Sequence, residues 1–192
     1  MEDKFKIYCV DVETGLYVFN MKKFINIQNE IMKKYRIGND FDFPTFDRYI
    51  GQIYEELQEV LTANDDERLE EIIDVLMYIG STVSYIMEKD VIEVDPFTCI
   101  TNNYNLSLDT FIKDLFVKVT TIRRLYPERK WHKPHNDENA EIYDLINRDK
   151  EGITVDVLEE MMHDIIKFVL SNYGDIKFVE VLSKKQNYIK SL

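Results

Sequence analysis

Apolar residues recur at helical spacing along most of this chain. From Lys22 onward, Phe24, Ile27, Ile31 and Tyr35 fall three or four apart, and Gly38 marks the expected stop. After the linker NDFDFP (39–44), Thr45 is the expected N-cap of a second helix with the stripe Phe46, Ile50, Ile53, Tyr54, Leu57, Val60 and Leu61. A third helix is predicted from about Asp66 to Lys89, carried by Leu69, Ile72, Ile73, Leu76, Ile79, Val83 and Met87. Residues 90–107 read as irregular, 108–128 as a fourth helix ended near Pro127, and 140–148 as a short helix after a polar loop at 129–139. A fifth helix is predicted over 154–174 with Gly174 as its C-cap. Asp175 would then cap a last helix running to Lys190.

Only the beginning departs from this period. Residues 4–19 (KFKIYCVDVETGLYVF) set two β-prone runs on either side of Glu-Thr-Gly, a hairpin pattern. The predicted architecture is a single all-α domain over 1–192: a helical core of four or more helices (22–192) preceded by a small N-terminal β-hairpin extension (1–20). Leu-Glu-Glu followed by an apolar run occurs at 69–79 and again at 158–169, the pattern a duplicated helix pair would leave.

Composition narrows the functional classes. A chain of 192 residues has room for a sizeable core, and 6 glycines and 4 prolines favour long helices over a turn-rich β fold. The net charge of −12 argues against a nucleic-acid polymer as partner, because such proteins present a basic face. Cys9 and Cys99 are too few and too scattered for a disulfide framework or a zinc site. No apolar run approaches the roughly 20 residues that span a bilayer, and MEDKFKIYCV lacks the layout of a signal peptide. The expected setting is therefore cytoplasmic, with no membrane partner.

The chemistry concentrates between Thr45 and Lys89. Glu56 and Glu59 lie three apart on the second helix, and Glu71 and Asp74 lie three apart on the third. Residues at that spacing are neighbours on a helix surface. If the two helices fold back across the break at Thr62–Asp66, four carboxylates meet. Such a group repels itself unless a cation sits within it, and oxygen-only ligands suit Mg²⁺ or Mn²⁺. All four lie off the main apolar stripes, so periodicity alone would make them solvated. Tyr49, Val75 and Tyr78 share that side, however, and a helix apolar beyond one stripe is buried on a second face, against other helices or in a homodimer or tetramer.

The block EELQE (55–59), an 11-residue spacer and EIID (71–74) resembles the Glu-Glu-x-x-Glu … Glu-x-x-Asp pattern of the all-α nucleoside triphosphate pyrophosphohydrolases. That superfamily includes MazG-like enzymes, dimeric dUTPases and phage dCTPases. LSKKQNYIKSL (182–192) is similar to the Lys-x-Asn-x-x-Arg segment of the dUTPase/dCTPase branch, with Lys190 where the family usually carries Arg. FINIQNEIMKKY (24–35) is similar to its Gln-bearing first helix.

The resemblance implies Mg²⁺, with Mn²⁺ as substitute, on Glu56, Glu59, Glu71 and Asp74, and a catalytic water positioned by Glu55. It implies hydrolysis of a (deoxy)nucleoside triphosphate, a pyrimidine dNTP such as dUTP or dCTP by analogy with that branch, to the monophosphate and pyrophosphate. Lys185 and Lys190 would meet the phosphates, and Asn187 and Gln28 the sugar or base. Trp131, the single tryptophan, sits with His132 among Arg129, Lys130 and Lys133, so Trp131 and Lys133 form a candidate stacking and phosphate platform.

Two rival readings remain. VDVETG (10–15) resembles the Asp-x-Glu motif of 3′–5′ exonucleases, with Asp11 and Glu13 as ligands, although the rest of that fold needs a sheet where this chain reads helical. The other is a helical interaction protein without catalysis.

Overall fold

Asn20 starts the helical core. Its Oδ1 accepts the Lys23 amide at 2.8 Å and its carbonyl accepts the Phe24 amide at 3.0 Å, an N-cap in both respects. The computed structural model describes residues 8–10, 17–34, 43–87, 98–100, 106–125 and 140–191. Among them are the helices α1 (Met21–Lys34), α2 (Phe43–Thr62), α3 (Arg68–Met87), α4 (Leu108–Leu125), α5 (Ala140–Tyr173) and α6 (Asp175–Ser191), so the core is all-α. Three-residue strands β1 (Tyr8–Val10), β2 (Tyr17–Phe19) and β3 (Thr98–Ile100) pair antiparallel in that order, Val18 lying opposite both Cys9 and Cys99. The turn expected at Glu-Thr-Gly, the Asp11–Glu13 motif and the loop with Trp131 and Lys133 lie outside the described residues.

Three boundaries differ from expectation. Thr45 does not cap α2, because that helix already runs from Phe43 and takes Pro44 into its first turn. A proline there forfeits no helical hydrogen bond. The short helix at 140–148 and the fifth helix are one continuous element, α5, and Gly152 sits inside it without ending it. The cap of α6 is Gly174 rather than Asp175. The Gly174 amide donates to Leu170 O at 3.2 Å and its carbonyl accepts the Phe178 amide at 3.2 Å, so one residue closes α5 and opens α6. Its φ of +80° is the left-handed conformation that glycine reaches without strain.

The helices α2, α3, α5 and α4 form a ring in which each packs on the next and α4 closes onto α2, while α1 and α6 both lie against α3. This makes α3 the central element. Leu69, Ile72, Val75, Ile79, Val83 and Ile86 bury it on more than one side, as a helix without a single polar face requires. Tyr49 and Val75, which the main stripes leave out, are buried as well.

Gly80 sets how closely α1 approaches α3. A Cβ there would fall 2.5 Å from Phe24 Cε1 and 3.1 Å from Gln28 Cγ. Phe24 is fully buried and cannot swing aside. Gly80→Ala is expected to destabilise the protein by about 1–2 kcal/mol. The check is a lower urea midpoint with an unchanged slope.

Between α4 and α5 one ammonium serves three carboxylates. Lys118 Nζ lies 2.6 Å from Asp114, 2.5 Å from Asp164 and 3.3 Å from Glu160. Burial alone would lower the ammonium's pKa; the hydrogen bonds and charges of Asp114 and Asp164 outweigh it and hold Lys118 above the ordinary lysine value.

Candidate functional site

The link between α2 and α3 is locked by its own side chains. Asn64 Oδ1 accepts the amides of Asp66 and Glu67 at 3.0 and 3.1 Å, and its carbonyl accepts the Arg68 amide at 2.9 Å. The Arg68 guanidinium reaches back to Ala63 O at 2.7 Å and pairs with Asp65. So short a link makes α2 and α3 antiparallel neighbours, which brings the two acidic pairs to the same level.

Glu56, Glu59 and Glu71 each offer a carboxylate oxygen, all within 4.8 Å of one another. Two oxygens on opposite sides of Mg²⁺ stand about 4.2 Å apart at the usual bond length, so small side-chain rotations bring all three onto one ion. Burial and mutual repulsion both act on these carboxyls. Burial, then the charges of Asp74, Glu59 and Glu71, push Glu56 up to about 7, with Lys185 opposing. Glu71 is raised by burial first and then by Asp74, and it shares a hydrogen bond with Glu59. A hard divalent cation fits this donor set.

Asp74 faces the same cleft but holds a different partner. Its carboxylate is paired with the Lys185 ammonium, which arrives from α6. Burial raises the Asp74 carboxyl above the ordinary range, and Lys185 counters that shift. One turn back along α3, Glu70 receives the neighbouring Lys184 at 3.0 Å, and this pair pulls its carboxyl down. Glu55 is exposed on α2, beside the group rather than within it.

The acidic group opens into a cleft of about 420 Å³, within the roughly 300–1,000 Å³ usual for small-molecule sites. Ile31, Met32, Met77 and Ile189 give it apolar walls, while Gln28, Arg48, Tyr49, Gln52, Tyr78 and Ser81 give it polar ones. Gln28 is buried at 1% exposure; its Oε1 accepts from Ser81 Oγ at 3.3 Å and its Nε2 has no partner among the described residues. The Tyr49 hydroxyl is likewise buried without a partner among the described residues, and burial, then Tyr85, pushes its pKa up to about 12. Buried polar atoms without partners cost stability, and a ligand in the cleft would satisfy both.

The candidate residues thus divide. Glu56, Glu59 and Glu71 converge, while Asp74, Lys185 and Gln28 adjoin them. Asn187 is exposed on α6 and does not line the cleft, and the side chain of Lys190 lies outside the described residues. Sequence reading passed over Arg48, Gln52 and Ser81. The first two had a signal, since Arg48, Gln52 and Glu56 fall at i, i+4 and i+8 on one face of α2. Among the described residues no helix is long and apolar enough to cross a membrane. Compared with protein-family models, with curated proteins and with solved structures, the chain matches none.

Proposed function

We propose that this protein is a divalent-metal-dependent nucleoside triphosphate pyrophosphohydrolase, with Mg²⁺ as the physiological ion. The observation that carries the reading is the convergence of Glu56, Glu59 and Glu71 at the edge of a ligand-sized cleft. The acidic pattern resembling the all-α pyrophosphohydrolases supports it, and that resemblance favours pyrimidine deoxynucleotides such as dUTP or dCTP.

The three glutamates would hold the ion. When bound, Mg²⁺ supplies charge neutralisation for the triphosphate and acidification of a water. The chain's own residues do the rest. In the reaction, water oxygen bonds to the α-phosphorus, the α–β bridging P–O bond breaks, and pyrophosphate leaves with that bond's electron pair. The proton of the water passes to solvent. Arg48 on the cleft wall and Lys185, paired with Asp74 beside it, place positive charge for the phosphates, and Gln28 and Tyr49 offer their polar groups to the nucleoside.

The test is pyrophosphate release from the common NTPs and dNTPs plus dUTP, with Mg²⁺ and with EDTA. Release is expected only with metal, and is expected to fall at least about a hundredfold in Glu59→Gln and in Asp74→Asn. No turnover of any nucleotide by well-folded protein would turn the reading to a helical interaction module.

A further inference from the structure

We propose that Lys185 is a resident counter-ion of Asp74, holding the place of a divalent cation until a polyphosphate draws the ammonium away. This rests on the triphosphate reading above. Asp74 and Lys185 have side-chain exposures of only 27% and 18%, so each needs a charged partner where it sits. The three carboxylates that converge within 4.8 Å leave Asp74 out, and its oxygen faces the ammonium instead. The free site therefore carries one positive charge of its own, and an incoming cation meets three carboxylates outside that ion pair rather than four.

The ammonium is free to exchange because α6 does not depend on it for docking. Phe178 and Leu182 are buried in the core at 1% exposure, and Lys184 holds Glu70 separately. A lysine is a compact charge on a flexible stem, able to swing between acceptors a few ångström apart. A ligand for the cleft is indicated independently by Gln28 Nε2 and the Tyr49 hydroxyl, both buried there without partners among the described residues. Phosphate oxygens entering beside Asp74 would offer Lys185 a second acceptor, and the freed carboxylate would then take a metal arriving with the polyphosphate.

Opposite shifts with two probes test the idea. By titration calorimetry without nucleotide, Lys185→Met is expected to bind Mn²⁺ about tenfold more tightly than wild type, because the Asp74 carboxylate, released from the ammonium, becomes a fourth oxygen ligand. The same variant, loaded with Mn²⁺, is expected to bind inorganic tripolyphosphate about tenfold more weakly. Lys185→Arg keeps the charge and should follow wild type with Mn²⁺. In an Asp74→Asn background Lys185→Met should no longer tighten Mn²⁺. Unchanged or weaker Mn²⁺ binding by Lys185→Met, or movement of both probes in one direction, overturns the proposal. Neither readout uses turnover. Absence of pyrophosphate release would sink the hydrolase reading and leave the Mn²⁺ comparison standing.

Discussion

Glu56→Gln is expected to abolish metal-dependent pyrophosphate release and, in EDTA, to make the protein more stable. The two effects share one cause. Glu56 is half-buried among Glu59, Glu71 and Asp74, and its carboxyl is raised from the ordinary range to about 7. A folded-state pKa above the unfolded one means that the folded protein binds this proton more tightly. Stability from that proton is therefore complete below the unfolded value and lost as pH rises through about 7. At pH 8 the metal-free wild type carries an unneutralised charge that the glutamine variant lacks. After discounting for solvent screening at a half-exposed group, the gain is about 1–2 kcal/mol. Chemical denaturation at pH 5 and pH 8 checks it, with a difference expected only at the higher pH. The metal should reverse the order, because binding must displace the same proton. Mn²⁺ affinity of the wild type is accordingly expected to rise with pH through about 7. Activity in the variant should drop by more than the roughly 10–100-fold that follows loss of a residue supporting a metal ligand.

Lys118→Met should be the most damaging single change to stability among those considered, about 2–3 kcal/mol. The cost comes from what is left behind. Asp164 has a side-chain exposure of 14%, and without the ammonium it keeps a charge with little solvent around it. Asp114 and Glu160, at 45% and 63%, can turn to water and contribute little. Urea unfolding at pH 7 measures the loss. Adding Asp164→Asn should recover most of it, and an equal loss in the double variant would show that packing of the lysine stem, rather than charge, was responsible.

Much of this was legible in the sequence because it depended on local spacing. The stripes through Phe46–Leu57 and Leu69–Val83 describe helices whose buried faces the structure contains, and Gly174 reads as a helix end for the reason its positive φ supplies. Two acidic pairs across a short link were enough to bring Glu56, Glu59 and Glu71 together. Partners far apart in the chain were not legible. Lys185 is 111 residues from Asp74, and no local pattern predicts that pair. The continuity of α5 was hidden by the polar run Arg148–Glu151 and by Gly152, which look like a break until tertiary packing outweighs their weak propensity. Arg48 was passed over because its significance lies in the cleft that α1, α3 and α6 complete.

The joint at Gly174 has a mechanical consequence. With one residue between them, α5 and α6 are two rods joined at a single point, and α6 is the arm that carries Lys185 to Asp74 and Ile189 to the cleft. At 1.5 Å per residue, Lys185 lies about 16 Å out along that arm. A change of about 10° at the pivot would then sweep its ammonium through about 3 Å, the difference between touching Asp74 and missing it. The leverage of a distant glycine over the charge balance of the cleft is thus a matter of arm length, and strain introduced at position 174 would be read out at Asp74.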